Sequence, residues 1–129
     1  MTNHAPSLPS IGIPLLFDDL YWLRDRVLDT AVGLGDAYAS TPVVGTRDLR
    51  GTLAHELDVE MSWRGRLRGE PPEAWGPKAE IKPEHVPTLD AARERWATEE
   101  TSMRSWLAGL SAAELAAPVT ANGLEGYPL

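Results

Sequence analysis

The chain has no cysteine, which excludes disulfides, thiolate metal sites and cysteine nucleophiles and leaves His, Asp and Glu as its only strong metal donors. It is poor in cations. Twelve Lys and Arg face 19 Asp and Glu, giving a formal charge of −7, so it lacks the basic footprint that a phosphate backbone requires and no nucleic-acid partner is expected. Long apolar runs are missing too. The longest, Ile13 to Phe17, falls far short of a membrane span, and the opening MTNHAPSLPS has neither a basic n-region nor a following apolar stretch. A cytoplasmic protein without membrane contact is expected. What remains is ordinary globular material: 129 residues, 43% hydrophobic and 24% charged, enough for one domain with a sizeable core.

Apolar periodicity supplies three helices. Leu16, Leu20, Leu23, Val27, Ala31 and Leu34 follow one another at spacings of three and four, one face of a helix over about 13–33, with Pro14 in its first turn and Gly33 and Gly35 as its stop. Residues 1–11 are expected as a flexible arm, and 12–129 as the domain. A loop over 36–46 leads to Thr46 as N-cap and Asp48 in the first turn of a second helix, about 47–68. Its stripe is Leu49, Leu53, Leu57, Met61 and Leu67, with Glu60, Arg64 and Arg68 in acid-before-base order. The next 20 residues hold five prolines. Thr88 then caps a third helix, about 88–108, whose face is Leu89, Ala92, Trp96, Met103, Trp106, Leu107 and Leu110, with Glu100 and Arg104 as a surface pair.

Each helix is about 30 Å long, matched like the members of one bundle. The short loop makes the first two antiparallel neighbours, and the long link lets the third run parallel to the second. Burial is expected for Leu20, Leu23, Val27, Leu53, Leu57, Trp96, Met103 and Leu107 together. Trp22, Trp63, Trp96 and Trp106 belong with the core, and Trp75 is pinned against it from the link. After Gly109, Ser111 and Glu114 form a capping box, and Asn122-Gly123 suits a small hairpin between Val119 and Tyr127.

Chemistry is sparse. Of the three histidines, His4 lies in the arm and His85 in the proline-flanked link, where both read as solvated bystanders. His55 sits about 160° round the helix from Leu57, away from the stripe centre, with Thr52, Val59 and Ser62 as its neighbours one to two turns away. His55-Glu56 begins the zinc-peptidase pattern H-E-x-x-H, but Val59 stands where the second ligand would be. There is no E-x-x-H for a di-iron site, and no G-x-S-x-G, phosphate loop or dinucleotide fingerprint. Glu56 and Glu60 read as the solvated side of the helix, and Arg64, Arg66 and Arg68 as its solvated end.

The runs LLFDDLYWLRDRVLD, GTRDLRGTLAHELDVEMSWRGRLRGEPP, VPTLDAARERWATEETSMRSWLAGLSAAELAAPV and GLEGYPL resemble, in that order, the DinB-like superfamily of damage-inducible and thiol-transferase-related four-helix proteins. Thr52-Leu53-Ala54-His55 with Glu60, then R-L-R-G-E-x-P, is the most specific part. The resemblance implies an all-α, up-down-down-up bundle with a long link between its second and third helices. It also implies a divalent metal of the zinc, nickel or iron type, held by the second-helix His, here His55, and by two ligands on a fourth helix.

Thiol-dependent transfer, isomerisation or amide hydrolysis on a small-molecule substrate, with a low-molecular-weight thiol as co-substrate in some members, is the implied chemistry. Three N/O ligands leave a metal coordination positions on which a thiol or water becomes a nucleophile near neutral pH. The fourth helix and its two ligands are expected beyond Leu129, so catalytic competence is not expected of these residues by themselves. A bundle without that helix leaves an apolar channel. Homodimer formation or other self-association, a partly molten core, or poor cover by the C-terminal segment is then expected. The alternative function is a non-catalytic interaction module that binds a partner helix in that channel.

Overall fold

A computed structural model describes residues 8–43, 45–120, 125–126 and 128–129. Five helices are present among them: α1 (Leu8–Ala31), α2 (Leu49–Leu67), α3 (Pro72–Trp75), α4 (Leu89–Gly109) and α5 (Ala112–Ala116). The architecture is all-α. Three long helices form the body, and 3₁₀ turns at Val32–Ala39, Pro77–Ala79 and Pro83–His85 tighten the connections.

The helix ends follow local chemistry. Helix α4 starts where Thr88 accepts a hydrogen bond from the Ala91 amide at 3.1 Å, as expected. Ser111 and Glu114 close a reciprocal capping box on α5. Helix α2 is capped by Asp48, not Thr46: the Asp48 carboxylate accepts from the Gly51 amide at 2.7 Å. The boundary correction is larger in α1. It begins at Leu8 rather than near residue 13, so part of the expected arm is helical and Pro14 lies inside the helix. It also ends at Ala31, ahead of both glycines, and the chain continues as a 3₁₀ turn that kinks at Gly35, where φ is +54°.

The arrangement of the body follows from three inter-helix ion pairs. Asp18 meets Arg104 at 2.5 Å, Arg24 meets Glu100 at 2.6 Å and Asp29 meets Arg93 at 2.7 Å, so residue numbers rise along α1 as they fall along α4. These two helices are antiparallel. Along α2, Leu53 shares a groove with Trp96 while Leu67 shares one with Trp106, so α2 and α4 run parallel, as the long link permits. Helices α1 and α2 both pack on α4, yet hardly on each other. The short loop therefore sets their opposed directions without making them packed neighbours.

The link is not structureless. The Asp58 carboxylate accepts from the Ile81 amide at 2.8 Å, Ser62 donates to the Trp75 carbonyl at 3.1 Å, and the buried Tyr38 hydroxyl donates to the Val86 carbonyl at 3.1 Å. Trp75 is held as expected, its indole N–H donating to the Glu70 carbonyl at 2.8 Å. Its ring stacks on Arg66, which also covers Trp63, so Arg66 is a clamp between two indoles and not part of a solvated helix end.

The core contains Tyr21, Leu28, Leu53, Leu57, Trp96 and Met103, with Phe17 and Leu107 partly buried against it. That overturns the expected inner face of α1. Leu20, Leu23 and Val27 are 45%, 55% and 43% exposed, and Trp22 and Trp63 are also exposed. Helix α1 turns Tyr21 and Leu28 inward and leaves its leucine stripe outside. Asn122 and Gly123, the expected hairpin turn, and Tyr127 lie outside the described residues, as does His4. Pro118 and Pro128 do pair as an antiparallel bridge, and Gly126 donates to the Val119 carbonyl.

Candidate functional site

Three features could carry function: His55, a cluster of charged side chains inside the bundle, and the groove between α1 and α2. His55 is exposed on α2. On a 3.6-residue helix it stands beside Thr52 and Val59, which help to line the α1/α2 groove, so the imidazole sits at the groove's rim. His85 is also exposed, and its Nδ1 accepts from the Lys82 amide at 2.9 Å. Among the described residues no three His, Asp or Glu side chains lie close enough together to hold an ion.

The interior cluster links all three long helices. The Tyr21 hydroxyl donates to Glu60 across from α1 to α2. Arg64 donates two hydrogen bonds to Glu99 across from α2 to α4, Nε to Oε1 at 3.0 Å and Nη2 to Oε2 at 2.6 Å. Arg24, its side chain 10% exposed, joins α1 to α4 through Glu100 and also holds Asp25. Its guanidinium lies between the rings of Tyr21 and Trp96.

Burial dominates the electrostatics. Glu99 is 3% exposed, and desolvation raises its carboxyl to about 7 although Arg64 opposes the shift. Desolvation also raises Glu60, against the Tyr21 hydrogen bond and the charges of Arg24 and Arg64. Tyr21 is raised well above the phenol range, by burial first and by Glu60 second. Glu100 is lowered: its desolvation is outweighed by hydrogen bonds from Arg24 and Arg104.

Glu60, expected on the solvated side, is thus half-buried, and Arg64 serves Glu99 instead of an i, i+4 partner. The signal was present in the spacing. Leu53, Leu57, Glu60, Arg64 and Leu67 follow a 4, 3, 4, 3 series, and Glu99 fills the gap between Trp96 and Met103. Position on the stripe outranks residue type as a guide to burial.

The groove holds two apolar pockets. One, about 290 Å³, is lined by Leu20, Leu23, Val27, Val43, Leu53 and Trp96; the other, about 270 Å³, by Phe17, Val59, Trp63, Met103, Trp106 and Leu115 among others. The C-terminal segment contributes Leu115 and Leu129 to the second pocket only, so it covers one end of the channel and leaves the Leu20–Val27 stretch open. A roomier hollow of about 520 Å³ lies between the 3₁₀ turn after α1 and the start of α4, and includes neither His55 nor the charged cluster.

Comparison with known proteins decides the family. The family model of the DinB superfamily matches residues 19–129. The chain belongs to the DinB superfamily. No curated protein and no solved structure matches it. A DinB metal centre of three side chains is not assembled by the described residues, which offer His55 alone; one imidazole does not hold a divalent ion. Among the described residues no helix is long and apolar enough to cross a membrane.

Proposed function

We propose that this DinB protein takes part in metal-dependent transfer or hydrolysis on a small-molecule substrate, with a low-molecular-weight thiol as co-substrate if it is a transferase, and that His55 is the ligand α2 contributes. Membership of the superfamily over residues 19–129 carries this reading. The place of His55 supports it. The imidazole is exposed at the groove rim and makes no hydrogen bond or ion pair among the described residues, so its nitrogens are free to coordinate. The other donors have to come from outside those residues, and no reaction step is assigned to the ones present.

The test is metal analysis of the native protein purified from its source, with calorimetric titration of its metal-stripped form by zinc or nickel, beside the His55→Ala variant. Uptake that is lost in the variant supports the reading. No uptake, or uptake indifferent to the substitution, overturns it.

The open α1/α2 groove favours a second reading, a helix-docking module that works without metal. It is the better one if no ion binds and a helix nevertheless seats between Leu23 and Leu53.

A further inference from the structure

Three polar atoms of the bundle interior are enclosed without a hydrogen-bond partner among the described residues: Arg24 Nη1 on α1, Glu60 Oε2 on α2 and Trp96 Nε1 on α4. Two are donors and one is an acceptor. Arg24 spends Nε and Nη2 on Asp25 and Glu100, which leaves Nη1 at the remaining corner of the guanidinium, and Glu60 receives the Tyr21 hydroxyl on Oε1 alone. An enclosed polar group without a partner forfeits its hydration for nothing, and the loss is greatest for a charged one.

The side chains that carry these atoms gather round Tyr21 and Arg24. The Arg24 guanidinium carbon is 4.8 Å from the centre of the Tyr21 ring and 5.5 Å from that of Trp96, and the Tyr21 hydroxyl ends on Glu60. The charge of Arg24 acts on the Glu60 carboxylate, yet Nη1 and Oε2 make no bond to each other. Opposite charges that attract across a gap are the setting in which one water bridges two groups.

The balance of donors and acceptor selects the occupant. A cation would face the Arg24 guanidinium and the indole N–H. An anion would suit those two donors but would meet the Glu60 carboxylate. Water accepts from both donors and gives a hydrogen to the carboxylate, which makes the three hydrogen bonds typical of an enclosed water.

We infer that one integral water occupies the junction of α1, α2 and α4, accepting from Arg24 Nη1 and Trp96 Nε1 and donating to Glu60 Oε2. It completes the interior cluster. Hydrogen bonds then run without a break from Asp25 and Glu100 through Arg24 to Glu60 and Tyr21. The enclosure is built by α1, α2 and α4 alone, so the site is independent of what covers the α1/α2 groove and of any metal at His55.

A crystal structure of the native protein purified from its source, at a resolution that shows ordered solvent, tests the assignment beside a second crystal soaked in bromide. One enclosed density peak is expected at about 2.5 to 3.2 Å from each of the three atoms, with no anomalous signal after the soak. An empty junction, a direct bond between Arg24 and Glu60, a water that misses any of the three atoms, or a bromide peak at that point overturns the proposal.

Nuclear magnetic resonance gives a second readout in solution. The chain has five Trp, and Trp96→Phe identifies the Trp96 indole proton by the signal it removes. In the native protein that proton should show a nuclear Overhauser effect to water with the sign of a long-lived complex. The effect should persist in Tyr21→Phe, which takes away the cluster's one hydroxyl. Its absence from the native protein, or its loss in Tyr21→Phe, overturns the proposal.

Discussion

Glu99 carries the least comfortable charge in the molecule. Its carboxyl is raised by burial from 4.5 to about 7, so between those values the folded chain binds a proton that the unfolded chain has released. Stability is then lost as pH rises through that window, and the contribution is fully present only below about 4.5. Glu60 is displaced in the same direction. Glu99→Gln retains an oxygen to accept from Arg64 but has no charge to desolvate. Melting scans between about pH 5 and pH 8 should therefore show the wild type losing stability relative to Glu99→Gln, by at most about 3 kcal/mol. Tyr21→Phe acts in the same cluster, and removal of the phenol leaves Glu60 without its donor. It should cost about 1 to 3 kcal/mol in chemical denaturation. Neither role could be inferred from residue type, because an isolated Glu on a helix is most often solvated. The partners of Glu60 and Glu99 come from other helices, 39 and 35 residues away in sequence.

Among the elements, α2 and α4 were legible nearly to the residue because their ends carry local signals. Thr88 and the Arg-Gly-Glu-Pro-Pro stop act through bonds that span only a few residues. At the stop, Gly69 has φ +72°, the Gly69 amide donates to the Arg66 carbonyl at 3.1 Å and the Glu70 amide to the Gly65 carbonyl at 3.0 Å. This is a Schellman motif, which satisfies carbonyls that the helix end would leave open. Gly69→Ala forces a Cβ into the left-handed region, although nothing lies within 4 Å to clash with it. The expected loss is about 1 kcal/mol from backbone strain alone, read as a lower denaturation midpoint with an unchanged slope. Helix α1 was less legible. Its leucine stripe states that one face seeks apolar company without stating whose. Tyr21 and Leu28, on a different face, won the interior because α4 offers Arg104, Glu100 and Trp96 there.

At the scale of the whole molecule, three helices and a C-terminal cover enclose a core but leave the outer seam of α1 half wetted. Fully burying a Leu or Val side chain is worth about 1.5 to 3 kcal/mol, so covering what remains exposed of Leu16, Leu20, Leu23 and Val27 recovers roughly 3 to 6 kcal/mol per copy. Two copies together gain an amount comparable with the cost of association, about 4 to 15 kcal/mol. Because only the folded chain presents this leucine stripe, whatever covers it stabilises the native state by mass action, and self-association is read as a concentration-dependent melt. The wild-type melting temperature should rise as protein concentration increases, at ionic strength near 0.15 M so that the −7 charge of each copy is screened. Leu20→Glu should melt at one temperature whatever the concentration, and that temperature should match the wild type at high dilution. A concentration-independent wild-type melt would mean that the three helices reach their full stability with the seam in water.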